Sequence, residues 1–376
     1  MKADFFIHKR FFWLSTMLIL VLAGLSGCQP SKESIPVSSI VRSTSQAPAS
    51  TLQPDTSYES ASTLVEPSIV SQSDEIIKFT FPTPGSKPIS LWRPPLSQAP
   101  LAINPWDHFY FVRPIAVDKP NWPLADYRYG GIFPGTDIVH TGIDIPSPRG
   151  TTVRAAGPGK VIHSGYGLYN NKNPDADPYG LAVSIQHDFG YNGWHLYTIY
   201  AHMDRIDVIQ GQRVESGTPL GIVGTTGRTT GPHLHFEVRV ETNSFYTTRN
   251  PELWLVPPEN WGVLVGQFRN TNGSFLTRYT IHVQSIETGQ KWEVATYGEA
   301  IVIRDEYFQE NMVLSDLPAG EYKVWLDYLD EVTSTMVNIH PGTTTYLTFR
   351  GKQGFDHTPP PLPGPSQWLK PIETDD

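Results

Sequence analysis

Glycine and proline cut this sequence into short runs. The chain holds 31 glycines and 34 prolines among 376 residues, and aromatic side chains make up 12%. Between those breaks the residues alternate apolar and polar, or are rich in β-branched and aromatic types, a pattern of strands joined by turns. Up to about Pro257 the strand-like runs are "TTVRAAGPGKVIHSG", "GLAVSIQHDF", "LYTIYAHM", "TPLGIVG" and "HLHFEVRV". From Trp261 to Arg350 the candidates are "GVLVGQF", "YTIHVQSI", "AIVIRD", "NMVLSDL", "GEYKVWLDYL", "TSTMVNI" and "TTYLTF". The second group fits a small sandwich. The expected fold class is all-β, with an antiparallel sheet domain over 109–257 followed by a small β-sandwich over 261–350. Prolines 82, 84, 88, 94, 95, 100 and 105 argue against a long helix before it, so residues 76–108 read as an extended segment.

The N-terminus carries a different message. Lys2, Lys9 and Arg10 precede the apolar run "FFWLSTMLILVLAGLSGC", which ends at the single cysteine, Cys28. A basic start, a short apolar core and small residues before a boundary read as a secretory signal over 1–27. Leu25-Ser26-Gly27-Cys28 resembles the lipobox of bacterial lipoproteins, which implies an acylated Cys28 as the mature N-terminus. A single transmembrane anchor is the alternative, for which Phe11–Gly27 is short. Either reading places the remainder outside the cytoplasm, tied to a bacterial cell membrane. Residues 28–75 are rich in Ser, Thr and Pro and cannot bury enough apolar surface to offset ordering. They read as a disordered tether with a reach of about 35–40 Å. The tail, 351–376, is Pro-rich and expected to be disordered as well. The formal net charge is −9 and no basic block is present, which sets nucleic acid aside as a partner.

The chemistry concentrates in "TGRTTGPHLHFEVRV", Thr226–Val240. His233 and His235 stand at i and i+2 of a strand-like run and so share a face. Upstream, "VHTGIDIPSPRG" holds His140 and Asp144, and "LYTIYAHMDRI" holds His202. Four imidazoles and a carboxylate could converge on one sheet face. Two neutral imidazoles and one carboxylate suit Zn²⁺ and leave a fourth position for water. The two remaining histidines would then serve in proton transfer. His187 and His195 match no such position and read as structural or rim residues.

In order and spacing, H-x-x-x-D, Y-A-H and G-x-x-T-G-P-H-L-H-F-E resemble the LytM/lysostaphin-type M23 metallopeptidases, peptidoglycan endopeptidases with a zinc site in a β-sheet groove. The resemblance spans roughly residues 109–257, through "GQRVESGTPLGIVG" to "NPELWL". It implies one zinc per chain held by His140, Asp144 and His235, with His202 and His233 as the catalytic pair and peptidoglycan as substrate. The alternative class is a non-catalytic LytM-type module that binds the wall or activates an amidase; such relatives lack one or more of the five residues, and this chain keeps all five. A third possibility is a structural surface lipoprotein. The chain departs from the family in Gly165–Gly180, "GYGLYNNKNPDADPYG", longer than the usual glycine loop and expected at the groove rim, and in Met203 after the catalytic histidine. Further on, "NMVLSDLPAGEYKVWLDY" resembles carboxypeptidase-regulatory-like β-sandwich domains.

Overall fold

The computed structural model describes residues 95–116, 127–132, 138–298 and 301–361. These residues all belong to one compact unit, Gln72–Asp376. The signal-like run, the tether, residues 76–94 and the end of the tail lie outside the described residues.

The architecture is all-β, and no α-helix occurs among the described residues. The first group of strands is β1 (Ile143–Pro146), β2 (Thr152–Arg154), β3 (Gly159–Gly165), β4 (Leu181–Tyr191), β5 (Trp194–Ile206), β6 (Arg213–Val214), β7 (Pro219–Val223), β8 (His233–Val240) and β9 (Thr248–Arg249). They form one nine-stranded sheet in the order β1-β8-β5-β4-β3-β6; β7 joins β2 to β5, and β9 borders β8. Every pairing in this sheet is antiparallel.

Strand β8 shows why this sheet can hold a polar site. Its residues alternate strictly, and all eight are buried. Leu234, Phe236, Val238 and Val240 enter the main apolar core with Tyr200 and Trp254. Burying each such side chain contributes about 1.5–3 kcal/mol. His233, His235, Glu237 and Arg239 therefore occupy the opposite face, where burial demands a partner for every polar atom.

The second group comprises β10 (Trp261–Arg269), β11 (Thr280–Ser285), β12 (Lys291–Ala295), β13 (Met312–Pro318), β14 (Gly320–Tyr328), β15 (Glu331–Ile339), β16 (Thr344–Arg350) and β17 (Phe355–Asp356). Two four-stranded sheets result, β13-β10-β16-β17 and β12-β11-β14-β15. Leu264, Phe268 and Leu347 from one sheet and Val283, Val324 and Val337 from the other share a core, which makes a sandwich. One pairing departs from the antiparallel rule: β10 runs parallel to β16.

Two sequence expectations differ from the structure here. "AIVIRD" is not a strand over Ile301–Asp305. Val302 instead packs with Tyr129, Val139 and Tyr297, and both the N–H and the carbonyl of Ile303 bond the Tyr129 hydroxyl. The strand that the sequence reading lacks is β12, "KWEVA", whose exposed Lys291, Glu293 and Ala295 alternate with buried Trp292 and Val294. Within the expected disordered tail, β17 pairs with β16 and Phe355 packs on the sandwich core.

The main core runs across both groups of strands. Phe109, Phe111 and Trp254 share it with Val263, Val265, Phe308 and Val313. Buried polar links run the same way. Arg113 pairs with Asp316, and Asp107 Oδ1 accepts hydrogen bonds from Thr344 N at 3.0 Å and Thr344 Oγ1 at 2.6 Å.

Glu310 is fully buried in this region, accepting from Tyr297 Oη at 2.6 Å and Asp305 N at 2.9 Å. Burial, with the Asp305 charge adding to it, pushes its pKa from 4.5 up to about 8. Its folded-state pKa thus exceeds the unfolded one. The stabilisation it brings is complete below pH 4.5 and is lost as the pH rises through about 8. Unfolding midpoints of the wild type and Glu310→Gln, measured from pH 5 to pH 9, test this. The wild type should lose stability toward the alkaline end relative to the variant; parallel curves would show that Glu310 is ionised in the fold throughout.

Candidate metal centre

Three strands bring the site together. In the β-ladder Asp144 of β1 lies opposite His235 of β8, and Pro146 lies opposite His233. On the other side of β8, Ala201 of β5 lies opposite His235. Residues directly opposite share a face, so Asp144 and His235 point the same way. His140 precedes β1, and its backbone is held by Gly130 N to His140 O and His140 N to Gly131 O, each 2.8 Å.

His140, Asp144 and His235 converge, all three buried. His140 Nε2 lies 3.0 Å from Asp144 Oδ1 and 2.9 Å from His235 Nδ1. His235 Nδ1 lies 2.9 Å from the same Asp144 oxygen. The outer bonds set the tautomers. His140 Nδ1 donates to the Arg128 carbonyl at 3.2 Å, which leaves Nε2 with a lone pair in the neutral ring. His235 Nε2 donates to Glu237 Oε1 at 3.0 Å, which leaves Nδ1 likewise. Three electron-rich atoms thus meet at hydrogen-bond distance with no proton between them. Only positive charge relieves that arrangement. A proton on His235 does so: burial opposes it, but Asp144 and Glu237 outweigh the burial and raise the ring's pKa to about 9. A metal cation does so as well, and an imidazole, imidazole, carboxylate donor set is one that Zn²⁺ accepts. The residues present therefore fit a zinc ion.

Behind His235 stands Glu237, a completely buried carboxylate that the sequence reading did not single out. It accepts from Thr141 Oγ1 at 2.7 Å, Tyr179 Oη at 2.7 Å and Arg239 Nε at 2.7 Å, besides His235. Burial works against its charge, but Arg239 and His235 prevail and hold its pKa below the ordinary carboxylate range. The available signal was periodicity: Glu237 continues the His233, His235 alternation on a strand whose other face is apolar.

His202 and His233 stand beside the triangle, with ring centroids 4.7 Å apart; His202 lies 5.7 Å from His235. His202 is at φ 61, the left-handed region rarely used by non-glycine residues. Strict alternation would turn it away from the face that Ala201 shares with His235. The register of β5 shifts just past it, and the kink re-aims its ring toward the site. His202 Nδ1 donates to the Thr226 carbonyl and His233 Nδ1 to the Gly231 carbonyl, both at 2.8 Å. Each ring keeps an unprotonated Nε2. That of His233 is buried without a hydrogen-bond partner, 3.4 Å from Asp144 Oδ2. Burial is the main force lowering both pKa values, His202 to about 3. His187 and His195 lie outside this group. His187 is a buried structural residue bonded to Thr198 Oγ1 at 2.8 Å, and His195 Nδ1 lies 3.3 Å from Gln186 Nε2.

Residues 138–247 match the model of Peptidase family M23. The matched segment contains the His/Asp/His group able to hold a metal. It is 41% identical over 129 residues to the DD-carboxypeptidase/endopeptidase Mpg of Neisseria meningitidis serogroup B, a match covering 34% of this chain and 26% of that protein. To the peptidoglycan DD-endopeptidase ShyB of Vibrio cholerae serotype O1 it is 41% identical over 106 residues, covering 28% of this chain and 22% of ShyB. The uncharacterized lipoprotein YgeR of Escherichia coli K12 is 32% identical over 154 residues, covering 38% of this chain and 53% of YgeR. The chain thus matches between about a quarter and a half of these relatives' lengths.

A pair of glycines locks the loop that orients His202. A Cβ on Gly180, at φ +62, would lie 2.3 Å from the Thr226 carbonyl carbon, and one on Gly227 would lie 2.4 Å from Gly180 N. Thr226 Oγ1 ties the two loops further, accepting from Leu181 N at 2.8 Å and donating to Met203 O at 2.7 Å. Gly180→Ala should therefore lower unfolding stability by about 1–3 kcal/mol, from left-handed strain plus the clash. It should leave the metal stoichiometry unchanged, since none of His140, Asp144 and His235 lies on this loop. Chemical denaturation and metal content of the same preparation test both points; an unaltered midpoint would show that the loops can part without cost.

Proposed function

We propose that this chain is a zinc-dependent endopeptidase that hydrolyses peptide bonds in the stem peptides or cross-bridges of bacterial peptidoglycan. The observation that carries the reading is the triangle of His140 Nε2, Asp144 Oδ1 and His235 Nδ1 with two further neutral imidazoles beside it. The names of Mpg and ShyB support the substrate class.

In this reading His140, Asp144 and His235 hold one zinc, which when bound supplies Lewis acidity to the scissile carbonyl and to water. Glu237 keeps His235 in the tautomer that offers Nδ1. His202 and His233 act through their free Nε2 atoms: the ring that accepts the proton of the attacking water becomes an imidazolium and passes that same proton to the departing amine. Their low pKa values keep them neutral and able to accept at neutral pH. An imidazolium formed in the reaction is steadied by the Asp144 carboxylate, close to His233.

The remainder of the chain delivers the domain. Cys28 is acylated, residues 28–75 form the tether, and residues 109–257 act outside the cytoplasm on the wall above the membrane. The sandwich over 261–350 supports the peptidase domain. The Leu25–Cys28 sequence and the lipoprotein name of YgeR support the anchor.

Digestion of purified peptidoglycan followed by mass spectrometry of the fragments tests the activity. The wild type should release cleaved peptides, a chelator should stop it, and zinc should restore it. His235→Ala should lose the metal. His202→Ala and His233→Ala should retain about one zinc per chain while turnover falls about 10²–10⁴-fold. Loss of zinc from His233→Ala to the same degree as from His235→Ala would overturn the division of roles. For the anchor, Cys28→Ser should leave a longer, unacylated precursor by intact mass; a mature mass equal to that of the wild type would refute acylation at Cys28.

A further inference from the structure

A line of aromatic rings leads away from the metal centre. Tyr179 packs against His235 with centroids 5.6 Å apart. Tyr169 follows at 6.5 Å from Tyr179, Phe245 at 5.8 Å from Tyr169, and Tyr246 at 5.4 Å from Phe245. The inner end is buried and the outer end is open: Tyr179 is 6% exposed, Tyr169 59% and Tyr246 65%.

Both loops that carry these rings are held by their backbones. Asp177 is buried in the 165–180 loop, where its Oδ2 accepts from Tyr169 N and Asn170 N at 2.7 Å and its Oδ1 from Tyr179 N at 2.8 Å. One carboxylate thus positions two of the four rings. Ser244 caps the short turn bearing Phe245 and Tyr246, accepting from Tyr246 N at 3.2 Å. Rings exposed on a fixed backbone lose little entropy when a ligand covers them.

We propose that Tyr169, Phe245 and Tyr246 form a stacking subsite for a sugar ring of the peptidoglycan glycan strand, adjoining the site of peptide cleavage. The inference rests on the peptidase reading and extends it to the saccharide part of the substrate. An aromatic face is electron-rich and attracts the C–H face of a neutral pyranose. The rings carry no charge, and on the exposed turn of the loop Lys172 and Asp175 offset each other. The guanidinium that adjoins the line, Arg239 at 5.6 Å over the Tyr179 ring, is buried and committed to Glu237, so it is not available to an acidic stem peptide. Asn170, Asn171 and Asn173 border Tyr169 in the sequence and bring amides suited to sugar hydroxyls and acetamido groups. Continuity with Tyr179 and His235 places the subsite within a few residues' reach of the centre, at about 3.3–3.6 Å per extended residue, so a sugar bearing the scissile stem peptide can reach it.

Two measurements test the subsite. The first compares a cross-linked muropeptide dimer with the same peptide dimer freed of its sugars. Tyr169→Ala/Tyr246→Ala should raise KM for the sugar-bearing dimer by about 5–10-fold, the usual worth of lost aromatic stacking, and kcat should stay within about 2-fold. KM for the sugar-free dimer should change by less than about 2-fold. Tyr169→Phe/Tyr246→Phe, which keeps the rings, should restore most of the loss. Equal effects on both dimers, or none, would overturn the subsite. The second measures direct binding of a soluble N-acetylglucosamine oligomer by tyrosine fluorescence, with metal content as the folding control. Binding by the wild type and its loss in the alanine variant support the subsite even if neither dimer is cut, an outcome that would remove the peptidase reading alone. No binding by the wild type would overturn the subsite.

Discussion

Glu237 is the residue on which the centre depends. It is a carboxylate with no exposure to water, held in the middle of a sheet by Thr141, Tyr179, His235 and Arg239. A buried charge with all its partners is close to neutral for stability, whereas breaking such a set costs about 3–5 kcal/mol. Glu237 therefore makes the tautomer of His235 a property of the fold. With Nε2 committed to donating, Nδ1 of the neutral ring presents its lone pair to Asp144 and His140. The conflict among those three atoms is built in by groups outside the triangle, and it turns the triangle into a receptor for a cation.

The same logic governs the two adjacent histidines, with carbonyl oxygens in the orienting role. Thr226 O and Gly231 O each accept a hydrogen bond from Nδ1–H, and each leaves Nε2 open. A carbonyl can only accept a hydrogen bond, so each one holds the ring proton on Nδ1 and leaves the lone pair on Nε2. The left-handed conformation of His202 belongs to the same design. Such a conformation costs roughly 1–3 kcal/mol and persists where the surroundings over-determine it. Here they do: its N–H donates to Tyr179 O at 2.9 Å, and its carbonyl accepts from Gly224 N at 3.0 Å. The strain pulls a ring out of the alternation of β5 and onto the face of the site.

Much of this was legible in the sequence, and what was not has physical reasons. His233 and His235 could be placed on one face because strand alternation is local. The H-x-x-x-D spacing and the resemblance brought His140 and Asp144 into view, and the structure gathers all five named residues. Thr226 and Gly231 could not be seen, because they act through backbone atoms common to every residue. The re-aiming of His202 was hidden too, since it comes from a register shift that depends on the pairing of β5 with β7. "AIVIRD" and "KWEVA" were misjudged for a related reason. Apolar content marks burial, but only a neighbouring ladder makes a strand, and the ladder available was β11. The parallel β10–β16 pairing and the core shared from Phe109 to Val313 are long-range facts with no local mark.

That shared core changes how the sandwich should be regarded. Ser315, on β13, donates to Glu252 Oε2 from its backbone N at 3.0 Å and from its hydroxyl at 2.6 Å. The same carboxylate oxygen takes the guanidinium of Arg128. The Arg128 carbonyl, in turn, receives the Nδ1 proton of His140. A continuous polar chain thus runs from a strand of the sandwich to the first of the three converging residues. Every member is buried, so removing one strands the charge or donor of the next. His140 is fixed by the backbone pairing of residues 130–131 with 140 and by an anchor that reaches into the second half of the chain. A flexible spacer would need no such link. The sandwich is part of what holds an imidazole at bonding distance from its neighbours, and the geometry of the centre is a property of the whole compact unit.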